Sequence, residues 1–339
     1  MSTQPLETFP AAPAETQHAF GALREHLNRV IIGQSTLVDR LLLALLADGH
    51  LLVEGAPGLA KTKAVRSLAA ALEGDDHRIQ FTPDLLPADL TGTDVYRPED
   101  GSFTFQRGPI FHNVVLADEI NRAPAKVQSA LLEVMQERQV TIGGETHPVP
   151  DPFLAMATQN PIESEGTYPL PEAQVDRFML KILVDYPEHD EELTVVQRSL
   201  VDPVAVREIL ALDDLRTLQR GVKDVYVDPG LISYAVSLAS ATRQPASVGL
   251  PDLAQLVAYG ASPRGPILLI AAARALALIH GRDYVIPGDV RSLVKDAFRH
   301  RLVLTYQALA EERTPDDILD AVIAATPQPR LELGRPAAA

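Results

Sequence analysis

Residues 55–62 read GAPGLAKT, a glycine-bearing turn closed by a lysine and a threonine. That order of residue types suits phosphate. Glycines let backbone N–H groups approach the oxygens, and a helix N-terminus behind them favours the anion. Gly55 and Gly58 supply the turn, Lys61 a charge for the β- and γ-phosphates, and Thr62 a hydroxyl for Mg2+. The chain has only six lysines, so one at this place carries weight. The plainer alternative is a glycine turn that caps a structural helix. Ala60 stands where the usual motif has glycine. Alanine keeps helical angles easily, so the loop is expected to close normally.

A second constellation strengthens the first. The run Asn113 to Glu119, NVVLADE, is an apolar strand ending in two carboxylates. Asp118 can hold the shell of a Mg2+ ion, and Glu119 can orient and polarise an attacking water. A strand-end Asp-Glu pair is otherwise a solvated turn. Asn160 follows the apolar stretch Phe153–Ala157 and is a candidate sensor of the γ-phosphate. Arg177 ends a short helical segment, where a cation is also favoured by the helix dipole alone.

These residues need a scaffold that brings strand ends together. Strand candidates lie at 50–54, 78–81, 113–117, 152–158 and 179–184, with helical spacing at 61–72 and 126–137 between them. Alternating strands and helices of this kind predict a three-layer α/β domain. Two hairpins interrupt the order: 94–106, turning at Asp100-Gly101, and 139–149, turning at Gly143-Gly144. Beyond Glu188 the pattern predicts helices only, at 191–200, 204–210, 212–221, 230–241, 251–259, 265–281 and 287–304. The expected division is a tail at 1–15, a core at 16–187, a helical domain at 188–326 and a tail at 327–339.

Composition narrows the classes. The net charge of −15 argues against a general nucleic-acid-coating protein. The absence of cysteine removes disulfides, thiolate zinc sites and cysteine nucleophiles, and fits a cytoplasmic protein. The N-terminal segment lacks the charged start and apolar core of a secretory signal. The longest clean apolar run, 41–47, is far shorter than the ~20 residues that span a bilayer. A second apolar stretch, 267–279, carries Arg274 in its middle. No integral membrane segment is expected. The histidines show no metal-ligand pairing, and the acidic run 188–192 reads as a solvated helix start.

The ordered segments GAPGLAKT, ADEINRAPAKVQSALLEVMQE, ATQNP, EGTYPLPEAQVDRF and ASPRGP resemble the MoxR family of AAA+ ATPases, over nearly the whole chain between its tails. The resemblance implies an α/β fold: a P-loop αβα core with a β-hairpin insert in helix 2, then a small all-α lid. It implies ATP and Mg2+ as cofactors. ATP would be held by Gly55, Ala56, Pro57, Gly58, Leu59, Ala60, Lys61, Thr62 and Asp118, with Ile31 and Ile32 packing on the adenine. Thr62 and Asp118 would serve the metal. Asn160 becomes the first sensor, Arg177 an arginine finger reaching a neighbouring subunit's nucleotide, and Arg264 a second sensor in the lid, acting in cis or in trans. Arg122 lies in the shared motif without a defined role.

The implied activity is ATP hydrolysis, coupled to remodelling or activation of client proteins by a homo-oligomer, a ring of six. A separate protein with a von Willebrand factor A domain would be a partner, and nucleic acid would not. Two other readings stay open on sequence alone: a nucleotide-gated scaffold with little turnover, and a chelatase-type motor subunit.

Overall fold

A computed structural model describes residues 14–99, 101–161, 166–200 and 205–330. Positions 1–13 and 331–339 of the expected tails, Asp100 of the hairpin turn and Glu165 of the family-like segment lie outside the described residues. The chain divides into two compact units, one of them Ala12–Arg220 and the other formed mainly by the residues from Gly221 onward.

In the first unit, helices α1 (Ala14–Val30) and α2 (Ser35–Leu46) precede β1 (Leu51–Gly55). Then come α3 (Lys61–Ala71), β2 (Asp76–Gln80), α4 (Pro87–Thr91), β3 (Gly92–Arg97), β4 (Ser102–Arg107) and β5 (Val114–Asp118). The unit continues through α5 (Ala125–Glu137), β6 (Gln139–Ile142), β7 (Glu145–Pro148), β8 (Leu154–Gln159), α6 (Glu172–Val175), β9 (Leu180–Val184) and α7 (His189–Ser199). The division falls inside α8 (Leu212–Asp224).

Five strands form one parallel sheet in the order β2-β5-β8-β1-β9. Residues 114–117 of β5 and 154–158 of β8 are buried without alternation, because helices cover both faces. One apolar core packs Val115, Ala117, Ala155 and Ala157 of these strands against Val127, Leu131 and Leu132 of α5. The order reverses at β1, so the carboxyl ends of β1, β8, β5 and β2 open into one crevice, the place where open α/β sheets bind ligands.

Both expected hairpins form, β3 with β4 and β6 with β7. The first leaves the end of α4 and exposes a ring pair, Tyr96 with Phe103, at 5.2 Å. Phe105 of β4 stacks on His147 of β7 with ring centroids 4.2 Å apart, which ties the hairpins together.

His50, fully buried ahead of β1, joins three elements. Its Nδ1 accepts from Ala155 N at 3.1 Å, so its Nε2 carries the proton and donates to Met135 O at 3.0 Å. Burial first, and the nearby Arg138 charge second, push its pKa down to about 3, although the Met135 carbonyl pulls it up. The folded form therefore holds a neutral ring that the unfolded chain protonates near pH 6.5. The resulting stability is complete above pH 6.5 and falls as pH drops toward 3, at about 1.4 kcal/mol per unit. Denaturant midpoints between pH 6.5 and 4.5 should show a loss of roughly 2–3 kcal/mol that His50→Gln removes. An unchanged acid slope in that variant would show that the loss arises elsewhere.

The second unit carries α9 (Pro229–Arg243), α10 (Arg264–Ile279), α11 (Pro287–Phe298), α12 (Tyr306–Ala310) and α13 (Pro315–Ala325). Side-chain caps set two starts: Asp228 accepts from Gly230 N, and Thr314 forms a capping box with Asp317. It is not helices only. Strand β10 (Val257–Tyr259) pairs antiparallel with β11 (Val303–Leu304), so the helices expected at 251–259 and 287–304 stop short. A partner some forty-five residues away supplies the backbone bonds, and no local window reveals it.

The helix expected at 204–210 does not form over 205–210. There Ile209 and Leu210 give their N–H groups to Ala71 O, an acceptor at the end of α3. Gln219 likewise donates to Leu45 O at 2.7 Å. These bonds tether the segment after 188 to the sheet unit, and the units part at 220/221 rather than at the 187/188 boundary expected from texture.

Candidate functional site

The turn after β1 begins with a close approach. A Cβ at Gly55 would lie 2.4 Å from Val184 O of β9, so only glycine lets the chain leave the sheet here. Gly58 has φ +85° and turns the loop back. Ala60 is the surprise. It adopts φ 57°, ψ 14°, the left-handed region, not the helical angles expected of alanine. Closing the loop onto α3 forces the conformation, and a non-glycine residue bears roughly 1–2 kcal/mol for it. No side chain caps the first turn of α3, so its N–H groups face the cleft for an anion.

A cleft of about 380 Å3 follows this loop. It is lined by residues 57–63, Arg78, Asp118, Glu119 and Asn160. Lys61 is 9% exposed and donates from Nζ to Gly55 O at 2.7 Å. Burial lowers its pKa, while Asp118 and Glu119 oppose the shift. Asn160 follows β8 directly and is nearly buried.

The two acids share one organiser. Thr158, on β8, donates its hydroxyl to Asp118 Oδ1 at 2.6 Å and accepts from Glu119 N at 2.9 Å. Glu119 itself sits at φ 56°, ψ 50°, a second strained position in the same cleft. Its Oε2 accepts from Gln80 Nε2 at 2.7 Å and faces Arg122 Nε at 3.1 Å. Arg122 thus acquires a definite partner. Asp118 Oδ2 accepts from Arg78 Nε and Nη2 at 3.0 and 2.7 Å.

Sequence reading missed Arg78 and Gln80, and saw Thr158 only as a neighbour of Asn160. The available signal was modest: two polar side chains at i and i+2 of a strand share one face. What aims them is the β2–β5 register, in which Gln80 lies opposite Asp118.

The donor set fits Mg2+. The Thr62 hydroxyl and Asp118 carboxylate are hard oxygen donors in one cleft, and Mg2+ takes one or two such ligands beside water and phosphate. The guanidinium on Asp118 already shows that a cation is accommodated there. Among the described residues no cluster of three or more His, Cys, Asp or Glu makes a protein-only metal cage.

The other expected residues lie elsewhere. Gly55 and Ala56 are buried in the base of the loop. Ile31 is buried and Ile32 half-buried in the turn after α1, which Gln34 Nε2 ties to Asp185 O beyond β9 at 3.0 Å. Arg177 follows α6 and does not line the cleft. Its Nε is buried without a hydrogen-bond partner, and no carboxylate among the described residues pairs with it. Arg264 is the first residue of α10, in the other compact unit.

A P-loop on a parallel sheet of this order, followed by a helical unit, defines the AAA+ class. The model for the ATPase family associated with various cellular activities (AAA) matches residues 50–180, and that for the AAA lid domain matches 253–322. The chain is 53% identical over 334 residues to a chaperone named MoxR1 from Mycobacterium tuberculosis, covering 97% of this chain and 89% of the relative. It is 35% identical to the protein MoxR of Paracoccus denitrificans, covering 89% and 94%. The crystal structure of a candidate ATPase from Cytophaga hutchinsonii superposes with a TM-score of 0.87 at 44% identity, covering 93% and 96%. The chain belongs to the MoxR family of AAA+ ATPases.

Proposed function

We propose that this protein hydrolyses ATP and uses the cycle to remodel or activate client proteins as a homo-oligomeric, six-membered ring in the cytoplasm. One observation carries the reading: the phosphate loop, Lys61, Thr62, Asp118, Glu119 and Asn160 line one cleft, whereas Arg177 stands outside it without an acidic partner among the described residues. A second subunit's nucleotide is the partner this reading assigns to Arg177.

The roles follow from position. The N–H groups of residues 58–62 and Lys61 cradle the β- and γ-phosphates. Thr62 and Asp118 hold Mg2+, which when bound supplies neutralisation of phosphate oxygens. Glu119 orients the attacking water and Asn160 bonds the γ-phosphate. Ile31 and Ile32 pack on adenine, and Arg264 reports nucleotide state from the lid. The client, and a separate partner with a von Willebrand factor A domain, are outside the chain. The name chaperone, borne by the Mycobacterium relative, supports action on other proteins.

A nucleotide-gated scaffold is the second reading, favoured by one observation: Glu119 is already tied to both Gln80 and Arg122. Two measurements decide. Lys61→Ala should weaken nucleotide binding by at least about 30-fold, since a buried charge contact contributes roughly 2 kcal/mol or more. Specific ATPase activity of the parent should rise with protein concentration as rings assemble. A flat, near-zero rate would favour the scaffold, and unaltered binding by Lys61→Ala would overturn the site itself.

A further inference from the structure

We propose that Arg78 is a resident counter-cation of Asp118 which Mg2+ must displace. The inference rests on the ATP–Mg2+ reading above. Asp118 has two oxygens. Oδ1 accepts from Thr158, which is buried and shared with the Glu119 amide. Oδ2 is the oxygen left for a metal, and it is the one that Arg78 holds through both Nε and Nη2.

Arg78, Asp118 and Thr62 line the same cleft, so a guanidinium and a divalent ion would crowd one oxygen. Like charges at that separation repel strongly, and one must leave. Arg78 leaves easily. Its side chain is 49% exposed, and its strand, β2, is the edge of the sheet with water beside it.

The displacement does not end at Asp118. Arg78 Nη2 also donates to Gln80 Oε1 at 2.7 Å, and Gln80 Nε2 donates to Glu119 Oε2 at 2.7 Å. The Gln80 amide is therefore oriented at both ends: its oxygen faces Arg78 and its nitrogen faces Glu119. Withdrawing the guanidinium removes the group that orients the Gln80 oxygen, while Arg122 still faces Glu119 Oε2 at 3.1 Å. Guanidinium and metal thus compete for Asp118 Oδ2. Linkage is reciprocal, so removing Arg78 must tighten the metal. An ion pair this exposed is worth at most about fivefold in an equilibrium, which makes it a bias on metal binding and not a block.

The test titrates MgCl2 into the full chain with a fluorescent non-hydrolysable ATP analogue and reads the half-saturating Mg2+ concentration. Arg78→Met should lower it about three- to fivefold. Lys63→Met removes the same charge from the same cleft lining without a contact to Asp118, and should lower it less than about twofold. Displacement is overturned if Arg78→Met leaves the value unchanged or raises it, or if both variants shift it equally, which would be bulk electrostatics. Normal analogue binding at saturating Mg2+ with unchanged Mg2+ dependence sinks this inference alone. A parent that binds no analogue at any Mg2+ concentration removes the ATP reading as well.

Discussion

Arg177→Ala is expected to lower ATP turnover by about 10³–10⁵-fold, the range an arginine supplied in trans contributes in GTPases. Nucleotide affinity should stay within about twofold of the parent, because the residue does not line its own subunit's cleft. The physical ground is the unpaired, buried Nε at the end of α6. A buried donor without a partner is costly, and such groups usually mark a function or a missing neighbour. The side chain as a whole is half-buried, so the terminal nitrogens of its guanidinium, not the enclosed Nε, would meet a neighbouring subunit's phosphate. The decisive form of the experiment mixes two inactive proteins. Lys61→Ala lacks a phosphate site but keeps Arg177; Arg177→Ala has the reverse. Mixed rings should recover a fraction of parent activity. If mixing recovers nothing while both proteins still co-assemble, the arginine acts within its own subunit and the trans assignment falls.

Glu119→Gln should cut turnover by about 10²–10⁴-fold, the range for loss of a positioned general base. ATP should still bind, since neither Lys61 nor the loop changes. The exchange is close to isosteric. The amide oxygen of a glutamine at 119 can still accept from Gln80 Nε2, as Oε2 does now. What disappears is the negative charge that Arg122 faces and that polarises water. Single-turnover hydrolysis with bound ATP measures this directly, and parent-like hydrolysis would overturn the assignment. The same variant, held with ATP, is the bait for clients. Recovery of a von Willebrand A protein supports the proposed partnership, and recovery of DNA alone counts against it.

Much of this site was legible along the chain because its parts are local. GAPGLAKT carries its own turn chemistry, and NVVLADE carries its own strand and its own acids. Asn160 was visible because the apolar stretch Phe153–Ala157 leads up to it. The relay through Thr158, Arg78 and Gln80 was not legible. It joins the ends of three strands whose order, β2-β5-β8, depends on crossovers, and register sets which side chains meet. In the helical unit, Val257–Tyr259 looked helical until its partner at Val303–Leu304 was known.

The residue types and their spacing determined the phosphate loop, the acid pair, the sheet strands and the family. Those follow from local chemistry: glycine's freedom, apolar runs and carboxylates at strand ends. The tertiary structure decided the rest. It bent Ala60 into a left-handed conformation that its type disfavours, because closing the loop between β1 and α3 outweighs a local preference of roughly 1–2 kcal/mol. It set a guanidinium on Asp118 and an amide on Glu119, because parallel pairing carried β2 alongside β5. It also left Arg177 without a carboxylate among the described residues, a fact about surroundings that no stretch of sequence contains.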